Sequence, residues 1–448
     1  MSLKIDIESY DCVIIGSGVA GLYLGVELFK RLSKRVRIVI LEKYNEIGGR
    51  AYTFHREIDG VKIQWEAGAG RISKEHTLIL DLMRRYKLTF AKIGTGLQYK
   101  ETYSSPLEPN IFEAGIPAFL QPLYHLPSEI LATHTVRELL SKIHGPKITE
   151  EYLIRFPYRG EVETLRADMA LKVFHGEMGS HEGYGICAEG VSAIIDSLQK
   201  EFERRGGKIL MEHELMEIKK GEDRHRLVCL SGKYNEAREE VHIEAEHCVL
   251  AIPVSSVKKI KQLERLSILK HLDARPLLRF YGVFPKDERG KYWPEEYEGR
   301  IVTSTPIRYM IPGNDKTGTV QISYTDSKDA EFWKQKLDKD GEKAVGTEIV
   351  QDLRKLLKPS IPSPTFVKAH FWDDGVTYWL PGKYSPEEYS HAAYEPVPKI
   401  HLCGESFSLR QGWMEGAAEH AKGLAAYLER IFRRFGTSHI KKPNHRKA

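Results

Sequence analysis

The run Cys12-Val13-Ile14-Ile15-Gly16-Ser17-Gly18-Val19-Ala20-Gly21 decides how this chain of 448 residues folds. Four apolar residues break into a G-x-G-x-x-G cluster. Apolar residues then recur at helical spacing (Val19, Leu22, Tyr23, Val26, Phe29), and a second apolar run, Val36 to Leu41, ends at Glu42. Strand, glycine turn, helix, strand and acid are the parts of a dinucleotide-binding βαβ unit in their expected order. Each part has a physical task. Gly16 permits the tight turn out of the strand, Gly18 lets the backbone approach a pyrophosphate, and Gly21 lets the helix lie close to the sheet. The helix N-terminus adds unpaired N–H groups and partial positive charge. Glu42 lies 21 residues beyond Gly21, near the spacing of about 20 at which an acid accepts hydrogen bonds from the adenosine ribose. A hexapeptide of this kind alone can be a chance turn; both strands and Glu42 make it a nucleotide site.

Glu42 runs on through Lys43-Tyr44-Asn45-Glu46-Ile47 to Gly48-Gly49-Arg50. This E-x5-G-G-R sequence resembles the second signature of flavoproteins of the amine oxidase superfamily. The resemblance implies FAD as the cofactor, with Gly49 and Arg50 packed around its pyrophosphate. The stretch Ile63-Gln64-Trp65-Glu66-Ala67-Gly68-Ala69-Gly70-Arg71-Ile72 continues it. In the superfamily a segment of this kind lies beside the flavin ring, which implies cofactor contacts for Gly68, Gly70 and Arg71. With Arg71 followed by His76, the form is most similar to L-amino-acid oxidases and their tryptophan-oxidising relatives, in which the matching arginine clamps the substrate carboxylate. Such a bidentate pair is worth roughly 1.5–3 kcal/mol. An arginine facing the FAD phosphates or an internal acid is the alternative.

The chain closes on Lys399-Ile400-His401-Leu402-Cys403-Gly404-Glu405-Ser406, then Gln411-Gly412-Trp413-Met414-Glu415-Gly416-Ala417. Ala417, Ala421, Leu424, Ala425, Leu428, Ile431 and Phe432 form a helical stripe. An amphipathic terminal helix accounts for the stripe but not for the motif before it, which matches the superfamily's third FAD motif. That match implies Gly404 and Glu405 at the ribityl or pyrophosphate region. It also implies Trp413, Met414 and Ala417 at the pyrimidine end of the flavin, where a helix N-terminus favours the negative charge of reduction. Trp413 stands where relatives place one aromatic of an amine cage.

The segment His370-Phe371-Trp372-Asp373-Asp374-Gly375-Val376-Thr377-Tyr378-Trp379-Leu380-Pro381-Gly382 resembles the part of these enzymes that sets an aromatic wall beside the flavin. Tyr378 is the expected other wall of that cage; ordinary sheet packing is the alternative for any one of these rings. Covalently flavinylated members carry a cysteine near Gly375, and none stands here, so the resemblance implies non-covalent FAD. Family members commonly place a lysine in the strand Leu277 to Pro285, holding a water beneath the flavin. The matching residue is Arg279, a departure: arginine keeps the charge but is a planar fork that does not lose its proton. It bears directly on oxygen activation and on the anion-binding character of the pocket.

Between these motifs, Leu78 to Tyr86 reads as a helix, and residues 95 to 180 as a mostly helical insertion with helices near Val136 to Ile143 and Ile148 to Leu153. Val191, Ile194, Ile195, Leu198 and Phe202 share one helical face, stopped by Gly206-Gly207. Short strands follow at Lys208 to Met211, Leu215 to Ile218, Val241 to Glu246 and Cys248 to Pro253; the resemblance implies adenine contacts in this block, Leu215 among them. The expected class is α/β: a discontinuous Rossmann-like FAD-binding domain (8–77, 186–256 and 394–434) with an inserted mixed α+β substrate-binding domain (78–185 and 257–393). Residues 435–448 read as a basic, flexible tail.

Composition is that of an ordinary soluble protein, 41% hydrophobic and 29% charged. A net charge of +5 from 67 basic and 62 acidic residues is too mild to argue for nucleic acid. Cys12, Cys187, Cys229, Cys248 and Cys403 are widely spaced and mostly within apolar runs, as in an intracellular protein, and no pair has metal-ligand spacing. Neither a signal peptide nor a run of the ~18 apolar residues of a spanning helix is present. The expected address is cytoplasmic and the metal expectation is none. The oligomeric state is not legible, a homodimer being the arrangement to test.

The resemblance implies an FAD-dependent oxidoreductase that oxidises an amine or L-amino acid to the imine by hydride transfer to flavin N5. Hydrolysis then gives a keto product and ammonia, and O₂ reoxidises the flavin to yield hydrogen peroxide. Arg71 would select the carboxylate, Trp413 and Tyr378 would desolvate the nitrogen, and Arg279 would fill the position below N5. Two rival readings share all three FAD motifs: a dehydrogenase or desaturase of protoporphyrinogen or carotenoid type, and a non-catalytic FAD-containing binding protein.

Overall fold

The computed structural model describes residues 8–32, 36–94, 96–108, 114–156, 158–174, 183–297, 299–313 and 316–435. Strand β1 (Glu8–Ile15), helix α1 (Val19–Arg31) and strand β2 (Ile38–Leu41) form a right-handed parallel unit in which Cys12 faces Ile38 and Ile15 faces Leu41. All four residues of β2 are buried, which is why both strands read as unbroken apolar runs rather than alternating ones. The seven-stranded sheet runs His213–Lys219, His225–Ser231, Glu239–Leu250, β1, β2, Lys208–Leu210, with Ile400–Leu402 paired parallel to the end of Glu239–Leu250. Helix α1 packs against the helix Ser192–Arg204 and the C-terminal helix Met414–Phe435. The Phe202 ring lies so close to α1 that a Cβ on Gly25 would stand 2.6 Å from it.

One expectation is corrected here. Val241 to Glu246 and Cys248 to Pro253 were expected as two strands, and they are one, Glu239–Leu250. No glycine or proline separates them, and His247 between them is buried in the sheet. The strand changes partners instead of ending: its first half pairs antiparallel with His225–Ser231 and its second half parallel with β1.

A six-stranded sheet runs Phe366–Trp379, Leu272–Val283, Thr319–Asp326, Tyr309–Pro312, Arg300–Thr303, Leu97–Lys100. Its last strand comes from within the stretch read as mostly helical, so that reading is corrected at Leu97–Lys100. The helix Ser327–Leu356, broken at Gly341 (φ 78°), covers this sheet through Trp333, Ile349 and Leu353. The insertion supplies Val136–His144, closed at its start by a Thr135–Glu138 capping box, with Pro146–Leu153, Gly160–Glu163 and Ala167–Val173. A small sheet pairs Ile72–Ser73 with Tyr184–Cys187 and that strand with Phe90–Lys92. This pairing carries Arg71 to Tyr184. The basic tail beyond residue 435 lies outside the described residues.

Candidate active site

A cavity of about 1430 Å³ is lined by both large sheets, the helical insertion and the start of the C-terminal helix. It exceeds the ~300–1,000 Å³ of a pocket for one drug-sized ligand, leaving room for a dinucleotide and a substrate.

The dinucleotide end is built by the opening βαβ unit. Gly16 adopts φ +100°, and a Cβ there would stand 2.6 Å from the Ala251 carbonyl oxygen; no other residue allows that turn without strain. Gly18 and Gly49 line the cavity, and a Cβ on either meets nothing nearer than 3.7 Å, so their bare backbone opens onto the space a pyrophosphate would fill. Gly21 does not line the cavity. A Cβ there would meet the Gly16 carbonyl oxygen at 2.0 Å, so Gly21 serves the close contact of α1 with β1. The Glu42 carboxylate accepts hydrogen bonds from Ser17 N (2.9 Å), Ser17 Oγ (2.7 Å) and Tyr44 N (3.1 Å), which fix it at the end of β2 facing the cavity. Leu215 lines the same end.

Glu405 joins three distant segments. One oxygen accepts from Thr377 N (3.2 Å) and Gly412 N (2.8 Å), and the other from Arg50 Nη2 at 2.9 Å. Arg50 also donates to the carbonyls of Asp374 (3.1 Å) and Gly375 (3.0 Å). The E-x5-G-G-R motif, the long aromatic strand and the closing Gly404-Glu405 motif therefore meet at one charged hub. Glycine cradle, fixed acid and hub together fit FAD. Gly404, Met414 and Ala417 line the wall beyond it.

At the flavin end Gly68 and Gly70 approach other chain closely: a Cβ would lie 2.1 Å from the Arg50 carbonyl oxygen and 2.8 Å from the Glu66 side chain. Trp372 donates from Nε1 to the Ala67 carbonyl at 2.8 Å and lines the cavity beside them. Arg279, 8% exposed, donates from Nη1 to the Glu66 carbonyl (3.0 Å) and lies over the Tyr324 ring at 4.8 Å.

Arg71 sits in an aromatic box. Its Nη2 donates to Tyr158 Oη at 2.7 Å, and its guanidinium lies 5.8 Å from the Tyr158 ring, 5.3 Å from Tyr184 and 5.6 Å from Trp413. Among the described residues it forms no ion pair with a carboxylate, its hydrogen bond going to Tyr158. A half-buried cation without a paired counter-ion is costly, and this one faces the cavity.

Trp413 and Tyr378, the two rings expected to wall the site, both line the cavity. The ring opposite Trp413 is Tyr184, with centroids 5.9 Å apart and planes at 13°. Tyr378 borders the cavity but is pressed against the insertion: a Cβ on Gly160 would stand 2.3 Å from its hydroxyl oxygen. Register explains the difference, because Tyr184 pairs with Ser73 and is delivered to Arg71 by the small sheet. Its one signal in the sequence was an aromatic between two glycines, Gly183-Tyr184-Gly185.

Two acids that the sequence reading did not single out stand here, Asp326 at the end of the strand Thr319–Asp326 and Glu161 in the insertion. Asp326 accepts from the backbone N–H groups of Arg159 (3.0 Å) and Gly160 (2.7 Å), capping the short helix Gly160–Glu163. Glu161 lines the cavity, and its Oε2 is buried with no hydrogen-bond partner. Burial first, and the Asp326 carboxylate second, push the Glu161 carboxyl above its usual range. Phe156, Leu165, Met169 and Phe174 give the cavity an apolar wall beside it.

This fold and cradle are those of an FAD-dependent flavoprotein oxidoreductase. The family model for flavin containing amine oxidoreductases matches residues 19–428, and the chain belongs to that family. It is 24% identical to "Putative L-amino-acid oxidase YobN" of Bacillus subtilis (strain 168), with 94% of each chain covered. It is 20% identical to an L-amino-acid oxidase of Naja atra, covering 90% of this chain and 84% of that one. The fold is also that of putrescine oxidase bound to putrescine (TM-score 0.70, 14% identity, 94% of this chain and 99% of that one). Cyclohexylamine oxidase from Brevibacterium oxydans IH-35A shares it (TM-score 0.70, 16% identity, 95% and 100%). The activity is FAD-dependent oxidation of amines or amino acids.

Proposed function

We propose that the chain oxidises an L-α-amino acid to the imino acid, with Arg71 as the carboxylate-binding residue. The observation that carries this reading is the half-buried, cavity-facing Arg71 guanidinium, which has a phenol and two more rings around it but no ion-paired acid. A substrate carboxylate supplies the missing counter-charge in a geometry suited to a bidentate contact. A primary amine of the same shape would leave Arg71 uncompensated. The L-amino-acid oxidase descriptions of the two sequence relatives support the same substrate class.

Bound FAD supplies the hydride acceptor for the substrate Cα–H. The chain's own work is to bind and orient. Arg71 fixes one end of the substrate, while Trp413 and Tyr184 stand against its head group, exclude water and hold the α-carbon in place. No strong base is required for an amine that arrives neutral. Arg279, anchored to the Glu66 carbonyl, contributes a fixed positive charge and no transferable proton. The net reaction consumes the amino acid, water and O₂ and gives the keto acid, ammonia and hydrogen peroxide. All five cysteines are buried and free, which supports a reducing, cytoplasmic setting; among the described residues no helix is long and apolar enough to cross a membrane.

Arg71→Ala tests the assignment. The account expects kcat/KM for L-amino acids to fall at least 100-fold, while turnover of the matching decarboxylated amine holds or rises. An equal loss on both substrates would remove Arg71 from carboxylate binding.

A further inference from the structure

Seven acids line the cavity; Asp373 is exposed to water, and the other six can be compared by what already satisfies them. Glu42 is held by Ser17 and Tyr44, and Glu405 by Arg50, Thr377 N and Gly412 N. Glu214 pairs with Lys43 (2.9 Å) and Arg238 (2.6 Å), Asp326 takes two backbone N–H groups, and Asp374 takes the Ser255 hydroxyl. Glu161 differs: the Tyr378 hydroxyl and its own backbone N–H act on the carboxyl, but its Oε2 is shut from solvent and left without a hydrogen-bond partner. An unmatched buried acceptor costs about 1–3 kcal/mol, more when it carries charge, so a carboxylate retained in that state fits one that waits for a ligand.

Arg71 is the complementary case in the same cavity, a half-buried cation with no ion-paired acid. The two belong to one neighbourhood, because Tyr158, which takes the Arg71 hydrogen bond, precedes Glu161 by three residues in the insertion. They are nevertheless not an ion pair. A cation and an acid that are not joined to each other are both satisfied by a ligand that carries an anion at one end and a cation at the other, the acid ionising as the ligand's cation meets it. The same insertion lines the cavity with Phe156, Leu165 and Met169, apolar surface suited to a methylene chain.

We infer that Glu161 binds the cationic end of the substrate side chain, so that the preferred substrates are L-amino acids ending in an ammonium or guanidinium group. This rests on the reading of Arg71 as the carboxylate site. The reacting α-nitrogen lies against the stacked Trp413 and Tyr184 rings rather than between them, and Glu161 acts away from it as a specificity residue.

The test compares L-lysine and L-arginine with L-norleucine, which keeps the aliphatic chain and lacks the charge, by anaerobic flavin reduction in the FAD-loaded protein. The wild type should favour a basic substrate over norleucine at least tenfold in kcat/KM. Glu161→Gln, close in volume, should abolish that preference while leaving norleucine within about twofold and the flavin spectrum unchanged. A wild type that takes norleucine as well as lysine and arginine overturns the inference without any variant. So does a Glu161→Gln protein that loses all three alike, since that marks a role at the α-nitrogen or in folding. Norleucine oxidation that depends on Arg71 without basic preference removes Glu161 alone; flavin that no L-amino acid reduces removes the Arg71 reading and this inference together.

Discussion

At the scale of single residues, the site depends on charges held by very few partners. Glu405 is the clearest case, since one carboxylate fixes Arg50, Thr377 N and Gly412 N. Glu405→Gln loses a charge-assisted bond and leaves Arg50 without its acid. The expected cost is about 2–3 kcal/mol in chemical denaturation, together with at least tenfold weaker FAD retention measured by flavin fluorescence on dilution. An unchanged FAD affinity would take Glu405 out of the cradle. Gly160→Ala should cost about 1–3 kcal/mol, because its methyl would collide with Tyr378. Residues tied to the βαβ unit and the closing motif were legible from sequence because their spacing is set by local geometry: Gly16, Gly18, Glu42 and Glu405 each stand in a short motif. Tyr184 and Glu161 were not, because they reach the cavity through a two-residue strand pairing and a four-residue helix. The stacking of Tyr184 on Trp413 was not legible for the same reason: alternation along a strand gives a face, not the neighbour across it.

At the scale of elements, buried polar groups pin helices and strands that the hydrophobic pattern alone leaves free to slide. The Glu415 carboxylate, fully buried at the start of the C-terminal helix, accepts from Leu78 N (2.8 Å) and Ile79 N (3.0 Å), capping the helix Thr77–Tyr86 from a remote part of the chain. Glu415→Ala should lower stability by about 2–3 kcal/mol, read as a shift in denaturation midpoint. The strand Glu239–Leu250 meets Ile400–Leu402 through a buried histidine pair, His247 Nδ1 to His401 Nε2 at 3.0 Å. Burial first, then His401, pushes His247 down to about 3, and burial lowers His401 as well. Both stay neutral in the native state, whereas in the unfolded chain they titrate near the ordinary value. As pH falls below about 6.5 the unfolded state gains protons that the native state refuses, so stability drops from there toward the native values. For His247 the loss at pH 5 is about 2 kcal/mol. Thermal melting between pH 7.5 and 5 should show it, and His247→Gln should flatten the slope. The helix Ser327–Leu356 was not readable, because its buried positions are sparse among Lys, Asp and Glu and Gly341 breaks its period.

At the scale of the whole molecule, two sheets and a helical insertion close around one cavity, and the cofactor half of that cavity is the part a sequence can announce. Its strands are continuous apolar runs and its ligands sit in turns. The substrate half is assembled from short elements far apart in the chain, so its chemistry appears only when Arg71, Tyr158, Tyr184 and Glu161 stand in one cavity. Because FAD fills space shared by all these segments, saturation at 100 times its Kd should raise unfolding free energy by about 2.7 kcal/mol, visible as a higher melting temperature of protein reloaded with FAD over protein stripped of it. The most direct measurement is anaerobic flavin absorbance on mixing the FAD-loaded protein with an L-amino acid and, separately, with the amine left by its decarboxylation. The account predicts bleaching by the L-amino acid at a rate at least tenfold above that of the amine. Faster bleaching by the amine would contradict the carboxylate role of Arg71 and, with it, the substrate class proposed for this site.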